Sequence, residues 1–154
     1  MVNVRLATVA DIDVLVDLMR DFYAESNFPL DAAWASQSFA DLLANPAAGA
    51  IWVIDVDGRP VGHVVLSIRY AMEYAGLIGY IDDLYVRPDH RRRGAASAGL
   101  AVLVAECQKR GCKSLHVEVD PNNAPAVGAY RRLGMAPGTD ERVQLKTNLP
   151  AAKP

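Results

Sequence analysis

The sequence is short of the features that mark several protein classes. It has only two cysteines, Cys107 and Cys112, in 154 residues, too few for the disulfide framework of a small secreted domain. A reduced, cytosolic protein is therefore expected. No apolar run approaches the ~20 residues that span a bilayer. The first apolar stretch is interrupted by Arg5, Asp11, Asp13 and Asp17, so it does not read as a signal peptide. Neither sign of charge dominates: 16 Lys+Arg stand against 18 Asp+Glu, a net charge of −2, which argues against a general nucleic-acid binder. Repeats, low-complexity stretches and an interdomain linker are all lacking. Three histidines, His63, His90 and His116, fall on separate predicted elements without metal-ligand spacing, so no metal is expected. A hydrophobic content of 51% with 22% charged residues then implies one globular domain over residues 1–154, with a real core.

The balanced charge is unevenly spread. Residues 1–60 carry nine acids and three bases, a local −6, whereas residues 61–154 carry nine acids and thirteen bases, +4. Four of those bases lie within Arg87-Pro-Asp-His-Arg-Arg-Arg93. Such a knot can serve a small polyanion, or it can be a solvated charged turn.

Periodicity predicts the elements. Residues 3–7 alternate as a short strand. Thr8 with Asp11 is a helix-start signal, and Ile12, Leu15, Val16, Met19, Phe22 and Tyr23 keep a helical period to about residue 24. A second helix is expected from about Ala32 to Ala44. Strands follow at IWVIDV (51–56), VGHVVLSIRY (61–70) and YIDDLYV (80–86), the first two joined by an Asp57-Gly58 hairpin turn. Gly94 to Arg110 reads as a helix, SLHVEV (114–119) as a strand, and Asn123 caps a short helix ending at Gly134. RVQLKT (142–147) is expected to close the sheet. The order β-α-α-β-β-β-α-β-α-β predicts an α/β (α+β) domain with a mixed central sheet flanked by helices.

Two segments carry chemistry. In the first, a strand ends at Val86, an arginine-rich turn follows, and Gly94, Ala95 and Ala96 open a helix. Helix N-termini expose unpaired N–H groups and partial positive charge, and small residues let a phosphate approach them closely. The segment matches neither the GxxxxGK[ST] loop nor the GxGxxG fingerprint. The second segment runs from Asn123 through Pro125, Ala126 and Tyr130 to Gly134. On physical grounds alone, Asn123 is a helix cap and Tyr130 a core residue.

Together, Arg91-x-x-Gly94-x-Ala96 and Asn123-x-x-Ala126-x-x-x-Tyr130-x-x-x-Gly134 resemble the pyrophosphate-binding and downstream motifs of the GCN5-related N-acetyltransferases (GNAT). The element order resembles that family from residue 3 to about 147. The resemblance implies transfer of an acetyl group from acetyl-CoA to an amine in a ternary complex. Backbone groups of Leu84, Tyr85 and Val86 would bond pantetheine. The N–H groups of Arg92, Arg93, Gly94, Ala95, Ala96 and Ser97 would cradle the pyrophosphate beside Arg91. Asn123, with Ala126 on the same turn, would reach the pantetheine arm. Tyr130 would protonate the departing thiolate, a role suited to a phenol of pKa ~10. The ammonium form of the acceptor must lose a proton before attack, and Asp82 and Asp83 are the candidate acceptors, with Glu118 in reserve. Strand alternation points the two aspartates to opposite faces unless a bulge intervenes.

The acid-acid-hydrophobic-aromatic-Val strand and the NxPxxxxY helix are also similar to polyamine acetyltransferases, which points to a small cationic amine. A peptide or protein acceptor, or a non-catalytic acyl-CoA sensor, are the alternatives. Three departures from the family pattern stand out: Arg92 where many members have Gly, Met135 where an aromatic is usual, and Asp82 where Glu is frequent. Tyr23, Glu25 or Trp34 are candidates for the acceptor wall. A homodimer is common in the family, and neither a membrane nor a nucleic-acid partner is expected.

Overall fold

The segments rich in β-branched residues pair as their alternation predicts. In the computed structural model, which describes residues 1–138 and 142–152, strands β1 (Val2–Leu6), β2 (Gly49–Val56), β3 (Arg59–Ala71), β4 (Gly76–Val86) and β5 (Leu115–His116) form one sheet in sequence order. The first three pairings are antiparallel and β4–β5 is parallel. Helices α1 (Ile12–Glu25), α2 (Ala32–Leu43), α3 (Ala95–Lys109) and α4 (Ala124–Arg132) complete the α/β architecture. The chain divides into a first unit, Met1–Val119, which holds the whole sheet, and a second, Asp120–Pro154.

Local chemistry sets the helix starts. A short 3₁₀ turn over Val9–Asp11 leads into α1, and the Asp11 carboxylate accepts the Thr8 N–H at 2.8 Å. The same carboxylate takes two bonds from the Arg5 guanidinium, at 2.9 and 2.8 Å, tying α1 to β1. Asp31 caps α2 by accepting the Trp34 N–H at 3.0 Å.

The two faces of the sheet are covered by different helices. Leu15, Val16 and Met19 of α1 and Ala35 and Phe39 of α2 bury against Ile51, Val53 and Val65. Each such full burial is worth roughly 1.5–3 kcal/mol for a large aliphatic or aromatic side chain. On the other face α3 packs closely: a Cβ on Gly99 would meet Ile54 Cδ1 at 2.9 Å. Ala95, at the start of α3, joins a cluster with Ile54, Val56, Val61 and Val86.

Two expected strands differ. The strand predicted over 114–119 is paired only at Leu115–His116, because β4 leaves the shared register just beyond Tyr80. Residues 142–147 form no strand. Their alternation serves no buried face, with Val143 82% and Leu145 89% exposed, and an alternating segment without a face to bury has nothing to hold it in a ladder. Among the described residues no helix is long and apolar enough to cross a membrane.

Candidate active site

The register of β3 on β4 decides where the two aspartates point. Val65 stands opposite Asp83 and Leu66 opposite Ile81, so Asp82 is an extra residue with no partner, a β-bulge. Strict alternation would place the carboxylates on opposite faces. The bulge breaks that alternation, and the Tyr23 hydroxyl of α1 is pushed up by its burial and then by the charges of Asp83 and Asp82. Asp82 itself is reached by water, yet enough protein crowds it that desolvation lifts its carboxyl above the ordinary range, aided by the charges of Asp83 and Glu118. Asp83 is more enclosed, and its Oδ2 lies 3.6 Å from Nε2 of the buried His63.

The bulge sits beside an open edge. β5 pairs with β4 only at Gly79 and Tyr80, so from Ile81 onward β4 has no ladder partner on that side among the described residues. Which residues present free backbone groups there follows from the alternation of antiparallel pairing. Arg87 N–H donates to the Val61 carbonyl at 2.8 Å, and a Cβ on Gly62 would meet the Tyr85 carbonyl oxygen at 2.3 Å. The polar groups of Tyr85 and Arg87 therefore face β3, and those of Leu84 and Val86 face the open edge. Of the three residues expected to bond pantetheine, Tyr85 thus directs its backbone groups toward β3. Its side chain instead lies beneath α1, with its ring 5.5 Å from that of Phe22 and its hydroxyl donating to Glu25 Oε1 at 3.3 Å.

Beyond β4 the chain turns through Pro88–His90 and enters α3. Arg92 adopts φ 61° and Gly94 φ 82°, both in the left-handed region. The first intrahelical bond runs from Ala98 N–H to the Gly94 carbonyl, at 2.9 Å, which leaves the N–H groups of Ala95, Ala96 and Ser97 without helical acceptors. With Arg92 and Arg93 exposed beside it, this end of α3 is a ready anion cradle. Arg91 is differently placed: its Nε donates to the Val86 carbonyl at 2.7 Å and its Nη2 to Glu25 Oε1 at 2.5 Å. A second clamp joins Arg87 Nε to Asp21 Oδ2 at 2.9 Å. Both hold the C-terminal end of α1 against the loop.

The sequence profile of the "Acetyltransferase (GNAT) family" matches residues 13–135. The chain belongs to the GNAT acetyltransferases. An aminoglycoside N(6')-acetyltransferase type 1 of Stenotrophomonas maltophilia is 27% identical over 138 residues, covering 86% of this chain and 84% of that one. The ribosomal protein bS18-alanine N-acetyltransferase of Escherichia coli (strain K12) is 38% identical over 60 residues, 39% of this chain and 40% of that one. Among solved structures, the integron cassette protein HFX_CASS3, from the mobile metagenome of Cole Harbour Salt Marsh, superposes with a TM-score of 0.86 at 35% identity. That match covers 96% of this chain and 91% of the other. The chain is thus an N-acetyltransferase, and GNAT acetyltransferases take their acetyl group from acetyl-CoA.

The second GNAT motif lies in the second unit. Asn123 Oδ1 caps α4 by accepting the Ala126 N–H at 3.3 Å, as the sequence predicts, with Pro125 in the first turn. Tyr130 is half-buried on the same helix, which closes with Gly134 at φ 83°. In the first unit, sequence reasoning missed His63 as a partner of Asp83, and missed both arginine clamps. Those clamps join residues 66 positions apart, and no local pattern marks such pairs. Of the acceptor-wall candidates, Tyr23 feels the charge of the aspartates and Glu25 binds Arg91, whereas Trp34 is exposed.

Proposed function

We propose that this GNAT enzyme acetylates a primary amine of a small, cationic acceptor by direct attack in a ternary complex. The observation that carries the reading is the bulge. It lifts Asp82 out of the ladder, beside Asp83 and next to the open edge of β4, with its carboxyl raised above the ordinary range by desolvation. Acetyl-CoA supplies the thioester. The pyrophosphate suits the free N–H groups at the start of α3 together with Arg92 and Arg93. Leu84 and Val86 offer the open-edge backbone groups for pantetheine, although the Val86 carbonyl is already engaged by Arg91. By their place in the motif, Asn123 and Ala126 serve the pantetheine arm and Tyr130 is the acid for the leaving thiolate. The Asn123 carbonyl oxygen is committed to its cap, so its amide nitrogen is the group left to bind.

Asp82 receives the proton of the arriving ammonium, directly or through one water. Asp83 and Glu118 add negative charge that favours a cation, and the aminoglycoside-acetylating relative supports an acceptor of this kind. The two unpaired cysteines suit a reducing cytosol. A second reading, acetylation of a peptide or protein N-terminus, draws on the ribosomal-protein acetyltransferase among the relatives. Free-CoA release, measured across polyamines, aminoglycosides, amino acids and short peptides, decides between them. Highest kcat/KM on a polyamine or aminoglycoside is expected; highest kcat/KM on a peptide overturns the small-amine reading.

A further inference from the structure

His63 is the residue whose burial has no explanation in packing alone. It lies on β3 between Val53 of β2 and Tyr85 of β4, and its side chain is 0% exposed. Phe39 of α2 meets its ring edge-to-face at 6.1 Å, and the Tyr85 ring is 6.3 Å away. Neither ring nitrogen has a hydrogen-bond partner. An apolar side chain of the same size would fill this place without the cost of two unsatisfied polar atoms, which is on the order of 1–3 kcal/mol each. A polar group does stand nearby: Asp83, whose Oδ2 is 3.6 Å from Nε2. A hydrogen bond between them requires that gap to close to about 2.9 Å.

Asp83 is also the residue that closes the bulge. It pairs with Val65, directly after the unpaired Asp82. The two carboxylates differ in surroundings: Asp83 has a buried imidazole behind it and is 20% exposed, whereas Asp82 is open to water. Two adjacent acids in such different surroundings are suited to different roles.

We propose that His63 is a positioning residue, which donates its Nε2–H to Asp83, holds that carboxylate as an anion in one rotamer, and so leaves Asp82 to take the proton of the incoming amine. The inference rests on the reading of the Asp82–Asp83 pair as the proton acceptor. Other charged or titratable groups bear on the site. On β4 these are Asp82, Asp83 and Tyr85; on α1 they are Tyr23, which feels the charge of both aspartates, and Glu25, which accepts from Tyr85. Arg91 lies over the Tyr85 ring at 5.6 Å, and Glu118 acts on Asp82. From α2 and β2, Phe39 and Val53 bring no charge.

The test combines His63→Phe, His63→Gln and Asp83→Asn in the full chain. His63→Phe keeps a flat aromatic ring, slightly larger than the imidazole, and removes the donor. Without it Asp83 competes for the first proton, so the lower limb of the kcat/KM–pH profile moves up by roughly half a unit to one unit. His63→Gln, which retains an N–H donor at similar reach, restores the wild-type limb. In an Asp83→Asn background, His63→Phe moves the limb no further. An unchanged profile in His63→Phe, or the same shift with Asp83 absent, overturns the proposal. Imidazole ¹⁵N NMR reads the pair without any acceptor: His63 Nε2 is expected to carry a proton and to shift on Asp83→Asn. An Nε2 resonance that ignores Asp83→Asn also refutes the pairing. If instead neither Asp82→Asn nor Asp83→Asn alters the profile while the NMR coupling is present, the base assignment fails and the His63–Asp83 contact stands.

Discussion

Replacing Arg92 by glycine should make the protein more stable while weakening its hold on acetyl-CoA. Arg92 adopts φ 61° with its side chain exposed, so its backbone carries a left-handed penalty that no buried contact offsets. For a residue with a Cβ that penalty is roughly 1–2 kcal/mol. Glycine removes it but loses roughly 0.5–1 kcal/mol more conformational entropy on folding. The net gain spans about 0–1.5 kcal/mol and centres on ~0.75 kcal/mol, where the rise in Tm is ~1.5–3 °C for a chain of this size. Arg92→Ala is the control, because alanine keeps the penalty and loses the same charge. Thermal melts of both variants isolate the backbone effect, and acetyl-CoA titrations isolate the charge. Affinity should fall alike in both, by roughly two- to five-fold for one exposed charge contact. If the glycine and alanine variants melt together, the left-handed backbone is not what costs stability at this turn. If acetyl-CoA binds both as tightly as wild type, Arg92 does not face the pyrophosphate.

Three further outcomes are expected. Asp82 has its carboxyl raised in the folded protein, so its ionisation works against folding at neutral pH, and the effect is absent below the unfolded carboxylate range. Asp82→Asn should therefore raise Tm at pH 7, lose that advantage as the pH falls below about 4, and lower kcat by roughly 10²–10⁴-fold; an equally active variant removes Asp82 as the base. Asp11 shows the opposite sign: the Arg5 hydrogen bonds, with help from Thr8, hold its carboxyl down from 3.8 to about 2. At 1.36 kcal/mol per unit, less screening at the partly exposed Arg5, Asp11→Asn should cost roughly 1–2 kcal/mol near neutral pH. The loss should shrink as the pH falls through that window, as measured by urea unfolding at pH 7 and pH 3. Tyr130→Phe should lower turnover while leaving the acetyl-CoA dissociation constant within about two-fold; unchanged turnover removes Tyr130 as the acid.

Local patterns made most of the fold legible. The helix starts at Thr8–Asp11 and Asn123, the Asp57-Gly58 turn and the small residues opening α3 are all signals within a few residues of one another, and the structure has each of them. The segments that failed depend on partners elsewhere in the chain. Residues 142–147 alternate correctly, but alternation does not provide a neighbouring strand or a face to bury. The predicted six-residue strand after α3 shrank to Leu115–His116 because its partner strand bulges.

The sequence by itself determined the family, the element order as far as α4 and the two motifs, since these rest on residue types at fixed spacing along one helix or turn. It also placed the acidic excess before residue 60 and the basic excess around Arg87–Arg93. Only the tertiary structure decided how the site is wired. One register shift between β3 and β4 takes Asp82 out of the ladder beside Asp83, and the alternation of ladder bonds gives the open edge to Leu84 and Val86 rather than to Tyr85. His63 lies twenty residues before Asp83, and Glu25 lies 66 before Arg91, yet both pairs meet. The physical reason is common to all of these: a ladder offset or a cross-sheet contact is set by how distant segments pack, and spacing along the chain carries no trace of it.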